Sequence, residues 1–212
     1  LPGMDPKRAD VITGGALILE QAILGLNINE LTISGYALRE GIVFDTVQKQ
    51  RDIDEYHHLS HLRYQSVDHL CDLYRVRRRH AEHVKNLCLR LFDDLRALHR
   101  FGDRERELLE ASALLHDVGY HIAADQHHKH SEYIIRNSAM PGFTNDEAEL
   151  IAAVARYHRK SHPKKKHPAF AALSADEQRL VRVLSSILRI GEGLDRRQQQ
   201  VVQTVRANVS AG

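Results

Sequence analysis

Residues 113–122 read ALLHDVGYHI and close a helical pattern that starts near residue 103. Leu108, Leu109, Leu114 and Leu115 recur at helical spacing, and Gly119 follows where a helix would stop. His116 and Asp117 therefore set an imidazole and a carboxylate side by side at a helix end. A divalent cation takes such a mixed nitrogen and oxygen pair when further ligands converge from other elements. Two residues alone are a weak motif, and a histidine at a helix end serves equally as a charge near the terminal carbonyls. The pair needs partners.

Working outward, nearly every segment beyond residue 65 has helical period: 66–74, 77–99, 103–116, 127–137, 144–158 and 174–194. Ser66 and Asp103 stand where N-caps are expected, and Thr144 with Glu147 and Ser174 with Glu177 read as capping boxes. His80 and His83 fall on the second of these helices. His127, His128 and His130 open the fourth, His158 ends the fifth, and Glu192 and Asp195 end the last. Ends and faces of separate helices are how helical domains build metal sites. His57, His58, His61, His69, His99, His162 and His167 read instead as surface or helix-end charges.

The N-terminal quarter reads differently. A helix over 6–25 contains Gly14 and Gly15, which suggest close backbone packing there. A short strand at Leu31–Ser34 and a helix from Ala37 follow, giving a βα fragment too small to fold alone. The composition turns polar over 48–60, which places a domain boundary near residue 52. The expected organisation is a small βα piece over 1–50, a linker helix over 51–64 and a compact, mainly α domain over 65–212. Leu1 in place of Met suggests a piece of a longer polypeptide.

Composition narrows the class. Thirty basic and twenty-eight acidic side chains nearly cancel, so no global field argues for nucleic acid or membrane. Two cysteines without a Cys-x-x-Cys pair suit a reducing compartment and argue against both a disulfide framework and a thiolate zinc site. No apolar run approaches a membrane span, and a soluble cytoplasmic protein is the expectation. Fifteen histidines are the surplus to be explained. A basic stretch, with Arg159, Lys160, Lys164 and Lys165 as candidate phosphate contacts, lies beside the presumed site; Pro163 and Pro168 equally mark it as a solvated loop. Stacking aromatics are missing there, which counts against nucleic acid as a partner.

These residues resemble the HD superfamily of metal-dependent phosphohydrolases, whose pattern is a His, a His-Asp doublet and a final acidic residue, sometimes with two further histidines between. HAEHVKNL at 80–87 and ALLHDVGYHI carry the likeness. It implies metal ligation by His80, His116, Asp117, His130, His158 and either Glu192 or Asp195, with Asp117 and His116 in the catalytic role. Related sequences end Arg-Ile-Ala-Asp-Gly-Leu-Asp where this chain has RIGEGLD at 189–195, so Glu192 stands in the usual aspartate's place.

The resemblance extends to nearly the whole chain. LPGMDPKRADVITGGALIL at 1–19 and ISGYALREGIVFD at 33–45 look like the end of the actin-like region of the exopolyphosphatase and guanosine pentaphosphate phosphohydrolase (Ppx/GppA) family. HHKHSEYIIRNS at 127–138 and ELIAAVARYHRK at 149–160 look like that family's C-terminal HD-like domain. In the family, phosphate-chain cleavage belongs to the actin-like domains. The resemblance thus implies that the parent protein cleaves terminal phosphate and that this stretch by itself does not.

Two roles remain open for the helical part. It is a phosphohydrolase holding one or two divalent ions (Mn, Mg, Fe or Zn), acting on polyphosphate or a nucleotide-like phosphate ester. Alternatively it is a non-catalytic module that binds polyphosphate or joins a homodimer, beside the parent's N-terminal actin-like domains.

Overall fold

The computed structural model describes residues 9–28 and 58–208. The chain divides into two compact units, Leu1–Ala37 and Leu38–Gly212. In the first, the expected helix is present as α1 (Ala9–Gly25) and runs through Gly14 and Gly15. A Cβ on either glycine would meet nothing within 4 Å among the described residues, so neither marks a close approach. The expected strand at Leu31–Ser34, the helix from Ala37 and the boundary near residue 52 lie outside the described residues.

The second unit contains α2 (His58–Leu73), α3 (Arg78–Asp94), α4 (Arg96–His99), α5 (Asp103–Leu115), a 3-10 turn (Val118–His121), α6 (His127–Asn137), α7 (Asn145–Arg156), α8 (Pro168–Ala171) and α9 (Ala175–Leu194). No strand occurs among the described residues, and the unit is mainly α as expected. Leu108, Leu109, Ala111, Ala113, Leu114 and Leu115 bury both sides of α5, and a helix apolar all round must be surrounded. It is: α2, α3, α7 and α9 all pack on it. Those four outer helices need bury only one stripe each, and α3 (Val84, Leu87, Cys88, Leu91, Phe92) and α9 (Leu180, Val181, Leu184, Ile187, Leu188) do so.

Caps explain most of the boundaries. Thr144 with Glu147 and Ser174 with Glu177 form the expected boxes at the starts of α7 and α9. The other two expected caps are displaced. Gly102 is the N-cap of α5, its N–H bonded to Glu105 at 2.7 Å. Ser66 lies inside α2, where its hydroxyl donates back to the Arg63 carbonyl at 2.9 Å. A polar stretch continues as helix here because Arg63 is anchored from three sides. Its guanidinium reaches Glu107 at 2.7 Å, Glu147 at 3.0 Å and the Gly142 carbonyl at 3.0 Å. Burial alone would raise the pKa of Glu147, but the Thr144 N–H, Arg104 and Arg63 outweigh it and hold the carboxyl below its ordinary value.

Beyond α9 the chain runs without regular structure along α3. Arg77 donates to Gln198 at 2.7 Å, His83 meets the Val202 carbonyl at 2.8 Å, Arg90 donates to Thr204 at 2.8 Å, and the Ala207 N–H reaches Asp94 at 2.8 Å. His83, a candidate ligand in the sequence, is engaged by this strap instead.

Two glycines fix how closely the ligand-bearing elements approach. A Cβ on Gly119 would sit 2.1 Å from the His127 carbonyl, so only glycine lets the turn after Asp117 lie against α6. On Gly191 it would sit 2.4 Å from Cys88 Sγ, where α9 crosses α3. Gly191→Ala gains about 1 kcal/mol of helix propensity but overpacks this crossing, with an expected net loss of roughly 1–3 kcal/mol. Urea unfolding of Gly191→Ala, Cys88→Ala and the double variant checks this, since removing Cys88 Sγ should recover most of the Gly191→Ala loss.

Candidate metal centre

Three histidines here share one local device. Nδ1 of His116, His127 and His158 each faces the carbonyl three residues back, of Ala113 at 2.7 Å, Ala124 at 3.0 Å and Ala155 at 2.7 Å. A carbonyl only accepts, so Nδ1 carries a proton and donates, and Nε2 is the nitrogen turned inward, a bare lone pair whenever the ring is neutral. His80 is held the same way by a side chain, with Nδ1 2.8 Å from Asp195 Oδ2. Asp195 is itself buried, and its Oδ1 accepts from the Gln200 N–H at 2.6 Å.

What these nitrogens face is a set of acceptors. His127 Nε2 and His158 Nε2 are 3.2 Å apart, and Asp117 Oδ1 lies 3.4 Å from the first and 3.9 Å from the second. His116 Nε2 is 3.5 Å from Asp117 Oδ1 and 3.6 Å from Glu192 Oε2, and it has no hydrogen-bond partner. His80 Nε2 is 3.0 Å from Glu192 Oε2 and 3.8 Å from Asp117 Oδ2. Buried lone pairs and carboxylates this close repel one another unless a cation lies among them. The donor set therefore fits a divalent ion, and it forms two groups of three: His80, His116 and Glu192, and Asp117, His127 and His158. The two oxygens of Asp117 lie between the groups.

Metal-free, a proton takes the cation's role at some of these atoms. Burial works against the imidazolium of His116, but Asp117 and Glu192 outweigh it and lift its pKa to about 9. Burial also opposes the charged form of His80, yet Glu192 and Asp195 raise it. Burial would raise Glu192, but His116 and His80 pull it well below the usual carboxylate range. For His158, burial and the neighbouring His116 push the pKa down, and burial lowers His127.

A polar cavity of about 390 Å³ opens over this cluster, with His158 and Glu192 in its wall beside Arg159, Lys160, Arg189 and Arg196. Arg159 Nη1 lies 3.3 Å from His127 Nε2. Tyr120, stacked on His127 with ring centres 3.9 Å apart, lines this cavity and a second of about 260 Å³ that reaches Asp117 past Arg75 and Arg77.

Residues 62–212 match the family model for Ppx/GppA phosphatase, domain III. The chain belongs to the Ppx/GppA phosphatase family. Residues 1–50 match the model of the Ppx/GppA phosphatase family itself. Among curated proteins, the chain is 34% identical over 190 residues to a guanosine-5'-triphosphate,3'-diphosphate pyrophosphatase of Pseudoalteromonas translucida, covering 87% of this chain and 36% of that protein. A protein of the same name from Aeromonas salmonicida is 33% identical over 155 residues, 73% of this chain and 30% of the relative. One from Photobacterium profundum is 30% identical over 200 residues, 94% and 38% respectively. The chain thus spans about a third of the length of the curated relatives it matches.

In this Ppx/GppA chain the structure brings His80, His116, Asp117, His158 and Glu192 together. Asp195 stands behind His80 rather than among the inward-facing atoms. His130 belongs to neither group of candidate ligands, whereas His127, on the same first turn of α6, belongs to one. Arg159 and Lys160 line the cavity, whereas Lys164 and Lys165 are exposed outside its wall. Arg189 and Arg196 line the cavity too; Arg189 reads in the sequence as the solvent side of α9, and Arg196 as a residue of the turn beyond it.

Two outcomes follow for a Ppx/GppA chain with this site. His116 holds its proton up to a pH of about 9, so a metal must displace that proton at any lower pH. Apparent metal affinity should rise with pH, by up to about tenfold per unit for this one proton, and level off above about 9; competition with a chromophoric chelator from pH 6 to 9.5 reads it. Asp195→Ala frees the His80 ring and should weaken metal binding roughly 10–100-fold without abolishing it, measured by the same competition at constant pH.

Proposed function

We propose that the helical domain is an HD-type phosphohydrolase module that holds one or two divalent ions and acts on a phosphate ester. The observation that carries this is the convergence of bare Nε2 atoms and carboxylates, with the unpartnered His116 Nε2 at its centre. His80, His116 and Glu192 would hold one ion, Asp117, His127 and His158 a second. When bound, such ions polarise a phosphoryl oxygen and acidify a water; mixed imidazole and carboxylate ligands suit Mn, Mg, Fe or Zn.

The chain's own groups do the rest. Arg159 and Lys160, joined by Arg189 and Arg196, give the cavity a positive wall that attracts and orients a phosphate group next to the ligands. Arg189 donates to the carbonyls of Tyr157 at 3.2 Å and Lys160 at 3.3 Å, so its charge is held in place at the rim. Asp117 orients the attacking water and accepts its proton. Asp195 keeps His80 in its tautomer.

The relatives are named for a guanosine that carries phosphates at both its 5' and 3' ends. A polar, cationic cavity suits a nucleotide-like ester of that kind, or polyphosphate, within a longer protein whose actin-like domains precede this region. A second reading, that the domain only binds polyphosphate, rests on the same cationic wall. Metal content and metal-dependent hydrolysis of a generic phosphodiester separate the two. The first reading expects stoichiometric metal in the purified chain and turnover reduced at least about 10²-fold in His116→Ala with Asp117→Ala. Absence of bound metal after supplementation, with polyphosphate still retained, would leave the binding module.

A further inference from the structure

We propose that a separate cavity, between the start of α6 and the loop after α7, binds a small tetrahedral oxyanion of the phosphate type. The cavity measures about 240 Å³, and its wall includes His128, Lys129, Arg156 and Lys160, with Asp125 as its one carboxylate. Neither Lys129 nor Lys160 has a side-chain ion pair among the described residues, so two ammonium groups stand uncompensated beside a guanidinium.

Two further observations concern the same wall. The first turn of α6 enters it with no side-chain cap, since Gln126 makes no capping hydrogen bond, and an uncapped helix start attracts an anion. Independently, His128 is only 6% exposed and its Nδ1 has no partner. Arg156 places Nε on Glu132 at 3.0 Å while its Nη1 has no partner either. Buried polar atoms of native proteins are nearly always satisfied. An anion bound in this cavity would supply an acceptor for the Arg156 guanidinium, and for His128 Nδ1 in the tautomer that protonates it.

The chemistry favours a tetrahedral oxyanion over a carboxylate. Donors stand on α6, at the end of α7 and in the loop that follows it, and phosphate offers acceptor oxygens in all these directions. The site is distinct from the metal cluster. The His128 ring centre lies 6.1 Å from that of His127 and 6.4 Å from that of His158, so one imidazole separates the anion from the ligand set.

The test uses the whole chain stripped of metal with chelator, titrated with inorganic phosphate at constant pH and ionic strength, with the His128 ring nitrogens followed by NMR. The expected result is a saturable shift of His128, competed by sulfate and not by chloride. Lys129→Glu keeps a favourable charge at the helix start and should raise the half-saturating concentration at least tenfold. Lys160→Gly suits the left-handed backbone at that position (φ 59°) and should do the same, but Lys160 also lines the cavity over the metal cluster, so Lys129→Glu is the deciding variant. Unchanged binding in Lys129→Glu, or no response of His128, overturns the proposal. Repeating the titration in His116→Ala with Asp117→Ala keeps this result apart from the metal reading, because phosphate should bind His128 whether or not that cluster holds an ion.

Discussion

A carbonyl oxygen three residues before a histidine is the interaction on which the candidate centre depends. It fixes which ring nitrogen carries the proton, and thereby turns the other into an inward lone pair. Two of these histidines use helix ends for the purpose. His116 is the C-cap of α5 and His158 follows the C-cap of α7, where carbonyls of the last turn lack a full set of intrahelical partners. One hydrogen bond thus serves the helix end and aims a ligand. The cost is a cluster of mutually repelling acceptors, tolerable only with a proton or metal among them.

The helical framework explains how ligands from distant parts of the chain meet. α5 is enclosed by α2, α3, α7 and α9, so its C-terminal end is the point where several helices converge. Gly191 lets α9 lie against Cys88 of α3, which brings Glu192 to His80. Gly119 lets the turn after Asp117 lie against α6, and Ser131 secures it by accepting from the Gly119 N–H at 2.9 Å and donating to the His116 carbonyl at 2.6 Å.

The helices were largely legible in the sequence because amphipathic period and capping boxes are local signals. The doublet at 116–117 could be read for the same reason, as it ends an apolar helix, whereas the likeness to the HD pattern left Glu192 and Asp195 as alternatives, because which carboxylate faces His116 depends on how α9 crosses α3. His127 could not be separated from His130. Both lie on the first turn of one helix, and which faces inward depends on the phase of α6 against the turn at Gly119, a tertiary matter. A glycine four residues past a helix end and a serine in the next helix were the available hints. The strap over residues 198–207 has no periodicity at all, and its bonds are made to α3, more than a hundred residues earlier in the chain.

The strap also bears on the order in which the centre can be made. His80, His116 and Asp117 are synthesised early, but Glu192 and Asp195 emerge late, and Asp195 is steadied by the peptide N–H of Gln200. On the ribosome, a nascent chain presents an unfinished ligand set until almost all of this domain has left the exit tunnel. Early-made histidines then wait without the late carboxylates, and the cluster as a whole exists only once the chain beyond α9 has folded back along α3.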